Sequence, residues 1–123
     1  MSTRKHQHPE PELPLTPSMF HVLLSLADGE KHGYAILKEV AQRTGGKVRL
    51  SAGTLYGIIK RLLGEGMIVE SGDRPARALD DERRRYYRLT AFGMKVAMAE
   101  AERMEQVLAM ARAKNLLRGP ELA

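Results

Sequence analysis

Arg83-Arg84-Arg85-Tyr86-Tyr87-Arg88-Leu89-Thr90 decides the fold of this chain. The stretch alternates like a strand, Leu89 closes it, and Thr90 opens a helix. Four arginines on so short a strand repel one another. Their forked donors, with two tyrosine hydroxyls, suit phosphate oxygens. The segment therefore either faces a polyanion or is a solvated edge strand whose charge blocks pairing with other sheets.

Immediately before it, Met67-Ile68-Val69-Glu70 reads as a second strand, and Ser71 to Asp81, with Gly72 and Pro75, as the loop between them. The two form a hairpin with a long tip. From Arg74 to Arg88 six arginines stand against Asp80, Asp81 and Glu82, a net of +3 on that hairpin.

Three short helices precede it. Thr16-Pro17 is a helix start, and Met19, Phe20, Leu23, Leu24 and Ala27 recur at helical spacing up to Asp28-Gly29. His32-Gly33-Tyr34 leads into the second helix, with a stripe of Ile36, Leu37, Val40 and Ala41 and a stop at Thr44-Gly45-Gly46. Lys47 to Leu50 is a short connector. Ser51 caps the third helix, whose apolar face is Leu55, Ile58, Ile59, Leu62 and Leu63. Its other face carries Thr54, Gly57, Lys60 and Arg61, with Tyr56 at the margin. After the hairpin, Thr90 caps a last helix running to about Asn115, roughly 37 Å long. Along it Ala97, Ala101, Met104, Leu108 and Ala111 repeat at three and four, and Met94, Met98 and Val107 widen the stripe.

The totals agree with a small binding protein. The chain has 123 residues, is 43% hydrophobic and 28% charged, and carries a formal net charge of +5. That balance supports a polyanionic partner without identifying it. There is no cysteine, hence no disulfide, thiolate metal site or cysteine nucleophile. His6 and His8 have no companions at ligand spacing, and His21 and His32 have no nucleophile near them, so no catalytic residue, metal site or cofactor is expected. His32, before a glycine at a helix start, is expected to be a structural hydrogen-bonding residue. No apolar run reaches the roughly 20 residues of a membrane span, and the N-terminus has no signal-peptide pattern, so a soluble cytoplasmic protein is expected.

Three short helices followed by a two-stranded hairpin is the winged helix-turn-helix order, in which the third helix enters the major groove of double-stranded DNA and the hairpin reaches the backbone or minor groove. The fold class expected is mainly α with a small β-hairpin: a winged helix-turn-helix domain plus a long C-terminal dimerisation helix. Residues 1–15 are expected to be a flexible arm, 16–89 the DNA-binding domain, 90–118 the dimerisation helix and 119–123 a disordered tail. The small residues and methionines of the last helix suit close packing against a second copy, which paired half-sites require. Folding back on its own domain is the plainer alternative.

Taken together, His32-Gly33-Tyr34, Thr44-Gly45-Gly46, Gly53-Thr54-Leu55-Tyr56, Arg61-Leu62 and Arg84-Arg85-Tyr86-Tyr87-Arg88-Leu89-Thr90 resemble the PadR family of transcriptional regulators, from about Leu15 to Gly93. The long last helix resembles its short-tailed branch. The resemblance implies a homodimeric repressor that binds a near-palindromic operator and is released by a small molecule or stress signal. It also implies DNA contacts at Tyr34, Ser51, Thr54, Tyr56, Lys60 and Arg61, and on the wing at Arg84, Arg85 and Tyr87, with Leu55, Leu62 and Leu89 in the core. Met94, Ala97, Met98, Ala101, Met104, Leu108 and Ala111 would form the dimer interface. A small apolar effector, where one exists, would enter that seam, and plain dimer packing accounts for the same residues.

The chain departs from the family pattern at Gly57, where proline is common, and at Gly64, where an acid is common. Phe92 is the only aromatic of the last helix, which argues against stacking of a planar ligand there, although methionines line adaptable apolar pockets. The competing reading is a winged-helix protein-interaction module without sequence-specific DNA binding. The number of arginines on the wing argues against it.

Overall fold

The computed structural model describes residues 8–71 and 85–117. The expectations placed on the arm before residue 8, on the wing tip with Arg84, and on the tail lie outside the described residues. Four helices, α1 (Pro17–Ser25), α2 (Gly33–Arg43), α3 (Ala52–Gly64) and α4 (Ala91–Ala113), surround a small antiparallel sheet of β1 (Lys31–His32), β2 (Ile68–Ser71) and β3 (Tyr86–Leu89).

Each helix starts where the chain supplies a capping group. Thr16 accepts the Met19 N–H, Ser51 the Thr54 N–H and Thr90 the Gly93 N–H, at 2.9–3.1 Å. α2 is capped by His32, whose Nδ1 accepts the Ala35 N–H at 3.1 Å. α2 ends on Thr44, and Gly45 and Gly46 take φ of 63° and 83°, a left-handed pair that side chains resist.

The core is a single cluster built from Met19, Val22, Leu23 and Leu26 of the α1 region, Ile36 and Val40 of α2, Leu55, Ile59 and Leu62 of α3, Met67, Ile68 and Tyr87 of the hairpin, and Val96 of α4. The α1 stripe differs from expectation. Val22 and Leu26 are buried, whereas Leu24 and Ala27 face outward, because the helix ends at Ser25 and presents the 19/22/23/26 edge to its neighbours. In α3, Leu63 is likewise exposed.

The sheet holds a strand that the periodicity did not reveal. Two residues, Lys31 and His32, pair with Tyr87 and Tyr86 of β3, while β2 pairs with the other edge of β3. β3 is therefore central. The T-shaped contact of His32 with Tyr86, ring centroids 5.3 Å apart, holds the short strand in place. The hairpin strands begin later than expected, at Ile68 and Tyr86.

The expectation of a flexible arm up to residue 15 is corrected for its described part. Glu10–Glu12 forms one 3-10 turn, Leu13 packs against the core and Leu15 is buried in it. The Leu15 N–H donates to Glu100 Oε2 of α4 at 3.3 Å. Two leucines among prolines suffice to dock the segment: apolar burial rewards it, and proline reduces the conformational freedom lost.

α4 does two things along its length. Its first turns pack on the domain through Gly93, Val96 and Glu100, and among the described residues none after Glu100 is buried. The helix ends at Ala113, with Asn115 in the left-handed conformation at φ 66°.

Candidate nucleic-acid interface

α3 is held by one face and free on the other. Leu55, Ile59 and Leu62 are buried, while Ser51, Ala52, Gly53, Thr54, Gly57, Lys60 and Arg61 are exposed. The outward face is short-chained in the first two turns and cationic in the last two. A helix of that shape approaches a groove closely at its N-terminal end and meets phosphate at the other. Ser51 and Thr54 share a hydroxyl–hydroxyl bond of 3.0 Å, so the capping pair is ordered before any ligand arrives.

Tyr34 stands at the start of α2, half exposed, with its ring nearly parallel to that of His32 and Lys38 Nζ 5.4 Å from its centroid. The α2 start abuts α3, since the Tyr56 hydroxyl lies so close to Gly33 that a Cβ there would meet it at 2.3 Å. That contact corrects one assignment: the Tyr56 hydroxyl is a buried atom beneath α2, and its ring packs against the core instead of reaching outward. Tyr87 is corrected for a related reason. On the inward face of the central strand it is only 3% exposed and belongs to the core. Arg88, on the opposite face, is exposed. Leu55 and Leu62 are fully buried and Leu89 packs against the core.

Two of the basic candidates are already near acids. Arg61 Nε lies 3.4 Å from Glu65 Oε2, and Arg85 Nη1 lies 3.8 Å from Glu70 Oε1. Both pairs are solvent-exposed on the arginine side, so they are weak and exchangeable for phosphate. Lys60 makes no ion pair among the described residues.

The structure also adds charged groups that periodicity did not distinguish. Glu100 is 2% exposed, and Arg103 closes on it with two bonds of 2.7 and 2.9 Å. The hydrogen bond from Arg103 and its charge hold the Glu100 carboxyl below its ordinary range, against the opposing effect of burial. At the other end of α3, a shared hydrogen bond with Glu65, reinforced by burial and by the Glu65 charge, raises Glu12 to about 7 despite Arg61. Among the described residues no group of three or more His, Cys, Asp or Glu is placed to hold a metal ion, and no helix is long and apolar enough to cross a membrane.

The residues expected at a dimer seam all lie on α4, with differing exposure. Met98 is 63% exposed and Leu108 47%, Met94 and Ala101 are exposed, and Ala97, Met104 and Ala111 are half-buried. Val107 and Met110 add to the apolar surface.

Fold and surface together define a winged-helix DNA-binding protein. The family model of the transcriptional regulator PadR-like family matches residues 22–99. The transcriptional regulator Rv3488 of Mycobacterium tuberculosis is 35% identical over 89 residues, spanning 72% of this chain and 76% of that protein. A PadR family transcriptional regulator from Eggerthella lenta superposes with a TM-score of 0.60 at 26% identity, covering 96% of this chain and 93% of that one. A PadR family transcription regulator from Clostridium difficile shares the fold, with a TM-score of 0.64 at 22% identity over 77% of this chain and 94% of that one. The chain belongs to the PadR-like family of transcriptional regulators, which are DNA-binding proteins and not enzymes.

Proposed function

We propose that the protein acts as a homodimeric repressor of a near-palindromic operator, released by a small-molecule or stress signal. The observation that carries this reading is the outward face of α3, exposed from Ser51 to Arg61 on a helix whose other face is locked into the core. Thr54 is assigned to base readout. Tyr34, Ser51, Lys60, Arg61 and Arg85 are assigned to phosphate, with Arg84 beside Arg85 on the wing. A lost base contact costs about 1–3 kcal/mol at one position, whereas a lost phosphate contact weakens all sequences alike.

The exposed apolar half of α4 supports pairing with a second copy, which places two α3 helices on successive half-sites. Release by an effector would act at Met94, Met98, Ala101, Met104 and Leu108, where a small apolar ligand wedged between the copies changes the separation of the reading helices.

The test is binding of purified protein to the DNA upstream of its own gene and to random duplex across a salt series. A preference of about a thousandfold or more, a steep salt slope and one dimer per site are expected. Salt-sensitive binding without preference over random duplex, repeated on genomic fragments, would remove sequence-specific regulation and favour the interaction module. Repression is read separately, as a rise in transcription of the adjacent gene when this chain is deleted; a fall would make it an activator.

A further inference from the structure

Besides the hairpin, one stretch of the chain carries cations and no acids. Between Val40 and Gly64 there is no acid and there are five cations, Arg43, Lys47, Arg49, Lys60 and Arg61, a charge equal to the +5 of the whole chain. Arg43 is committed to Glu39 at 2.5 Å, and Arg61 and Lys60 belong to α3. Lys47 and Arg49 remain. They make no ion pair among the described residues, and the site described above does not use them.

They stand on a connector that is rigid without being a helix or strand. Gly46 N–H donates to Ala41 O at 2.7 Å, and Lys47 N–H to Thr44 O at 3.1 Å. The Thr44 hydroxyl accepts the Val48 N–H at 3.0 Å while donating to Val40 O at 2.8 Å. From Lys47 to Ser51 exposure alternates: Val48 and Leu50 pack against the core, and Lys47, Arg49 and Ser51 face solvent. The Arg49 guanidinium lies over Gly46, where a Cβ would meet Nη2 at 2.9 Å, so the left-handed glycine leaves room for that group. Two cations on a pinned backbone lead directly into the first turn of α3.

We propose that Lys47 and Arg49 form a phosphate clamp on the strand flanking the groove that α3 enters, fixing how deep and in which register the helix sits. This rests on the DNA-binding reading above and extends it to a surface outside α3 and the wing. Such a clamp is sequence-blind: each phosphate neutralised contributes about 0.9 to the slope of log affinity against log salt. A contact of that slope weighs about eightfold at 0.1 M relative to 1 M salt.

The experiment compares wild type, Lys47→Ala, Arg49→Ala, Arg49→Lys and the double alanine variant on random duplex and on the upstream DNA, by anisotropy across a salt series, with thermal melts of each protein. Each alanine should lower the slope by about 0.9 and weaken both duplexes by the same factor, about eightfold at 0.1 M salt. The double variant should lose about twice the slope, and Arg49→Lys should keep it. Ethylation interference should lose the phosphates flanking the α3 groove. An unchanged slope in folded alanine variants overturns the clamp, as does a loss confined to the operator at unchanged slope. Should Arg49→Ala unfold, Lys47→Ala decides alone, and an unchanged slope there overturns the proposal. A wild type that binds neither duplex would instead sink the DNA-binding reading and the clamp with it.

Discussion

Two glycines show how differently the same residue is used. At Gly93 a Cβ would come within 1.9 Å of the Met67 carbonyl oxygen, the atom that also accepts the Thr90 N–H at 3.0 Å. Backbone cannot retreat as a side-chain tip can, so Gly93→Ala should pry α4 from the hairpin and cost about 3 kcal/mol, measured as a fall in urea midpoint. A midpoint within error of wild type would refute that reading of the joint. Gly57 has nothing within 4 Å of its would-be Cβ and sits in the interior of α3. Gly57→Ala should therefore raise stability by about 1 kcal/mol, read in the same titration. Neither distinction is visible from residue type. The two tyrosines are similar: Tyr56 and Tyr87 lie beside basic and small residues in the chain, yet packing, not sequence neighbourhood, set Tyr56 against the core and Tyr87 within it.

Among the elements, the N-terminal segment carries a carboxyl whose titration bears on its packing. On the 3-10 turn Glu12 faces Glu65 at the end of α3, and hydrogen bonding to that carboxyl, with burial and its charge, raises Glu12 from the usual 4.5 to about 7. Its folded value lies above its unfolded one, so the native state holds an extra proton between those limits. The contribution of Glu12 to docking is complete below about 4.5 and declines as pH rises through about 7. Amide protection of Leu13 and Leu15, corrected for intrinsic exchange, should fall between about pH 5.5 and 8. Glu12→Gln should flatten that dependence; equal pH dependence in the variant would rule the carboxyl pair out. The hairpin shows what alternation reveals of an element and what it does not. The strand period was plain from Tyr86 to Leu89, but which side faced inward depended on β1, two residues too short to carry a pattern.

At the scale of the molecule, α4 joins a folded domain to an apolar surface that the described residues do not cover. Met98, Leu108 and Met110 are each about half exposed or more, on a helix whose first turns are fixed by Val96 and Glu100. The dimer reading predicts that Leu108→Asp runs as a monomer in sedimentation equilibrium, keeps its wild-type circular dichroism and loses at least about tenfold in operator affinity. A variant that stays dimeric would move the interface elsewhere.

Local chemistry was enough for the helices and their starts, for the hairpin, and for the outward face of α3, because capping and the 3.6-residue period act within a few neighbouring residues. Tertiary structure decided the rest: that Lys31 and His32 pair with β3, that Tyr87 is core, that the segment before Thr16 is docked, and that Glu100 is a buried partner of Arg103 and Leu15. Each depends on a residue far away in the chain, and burial is a property of the pair that makes it, not of either residue alone.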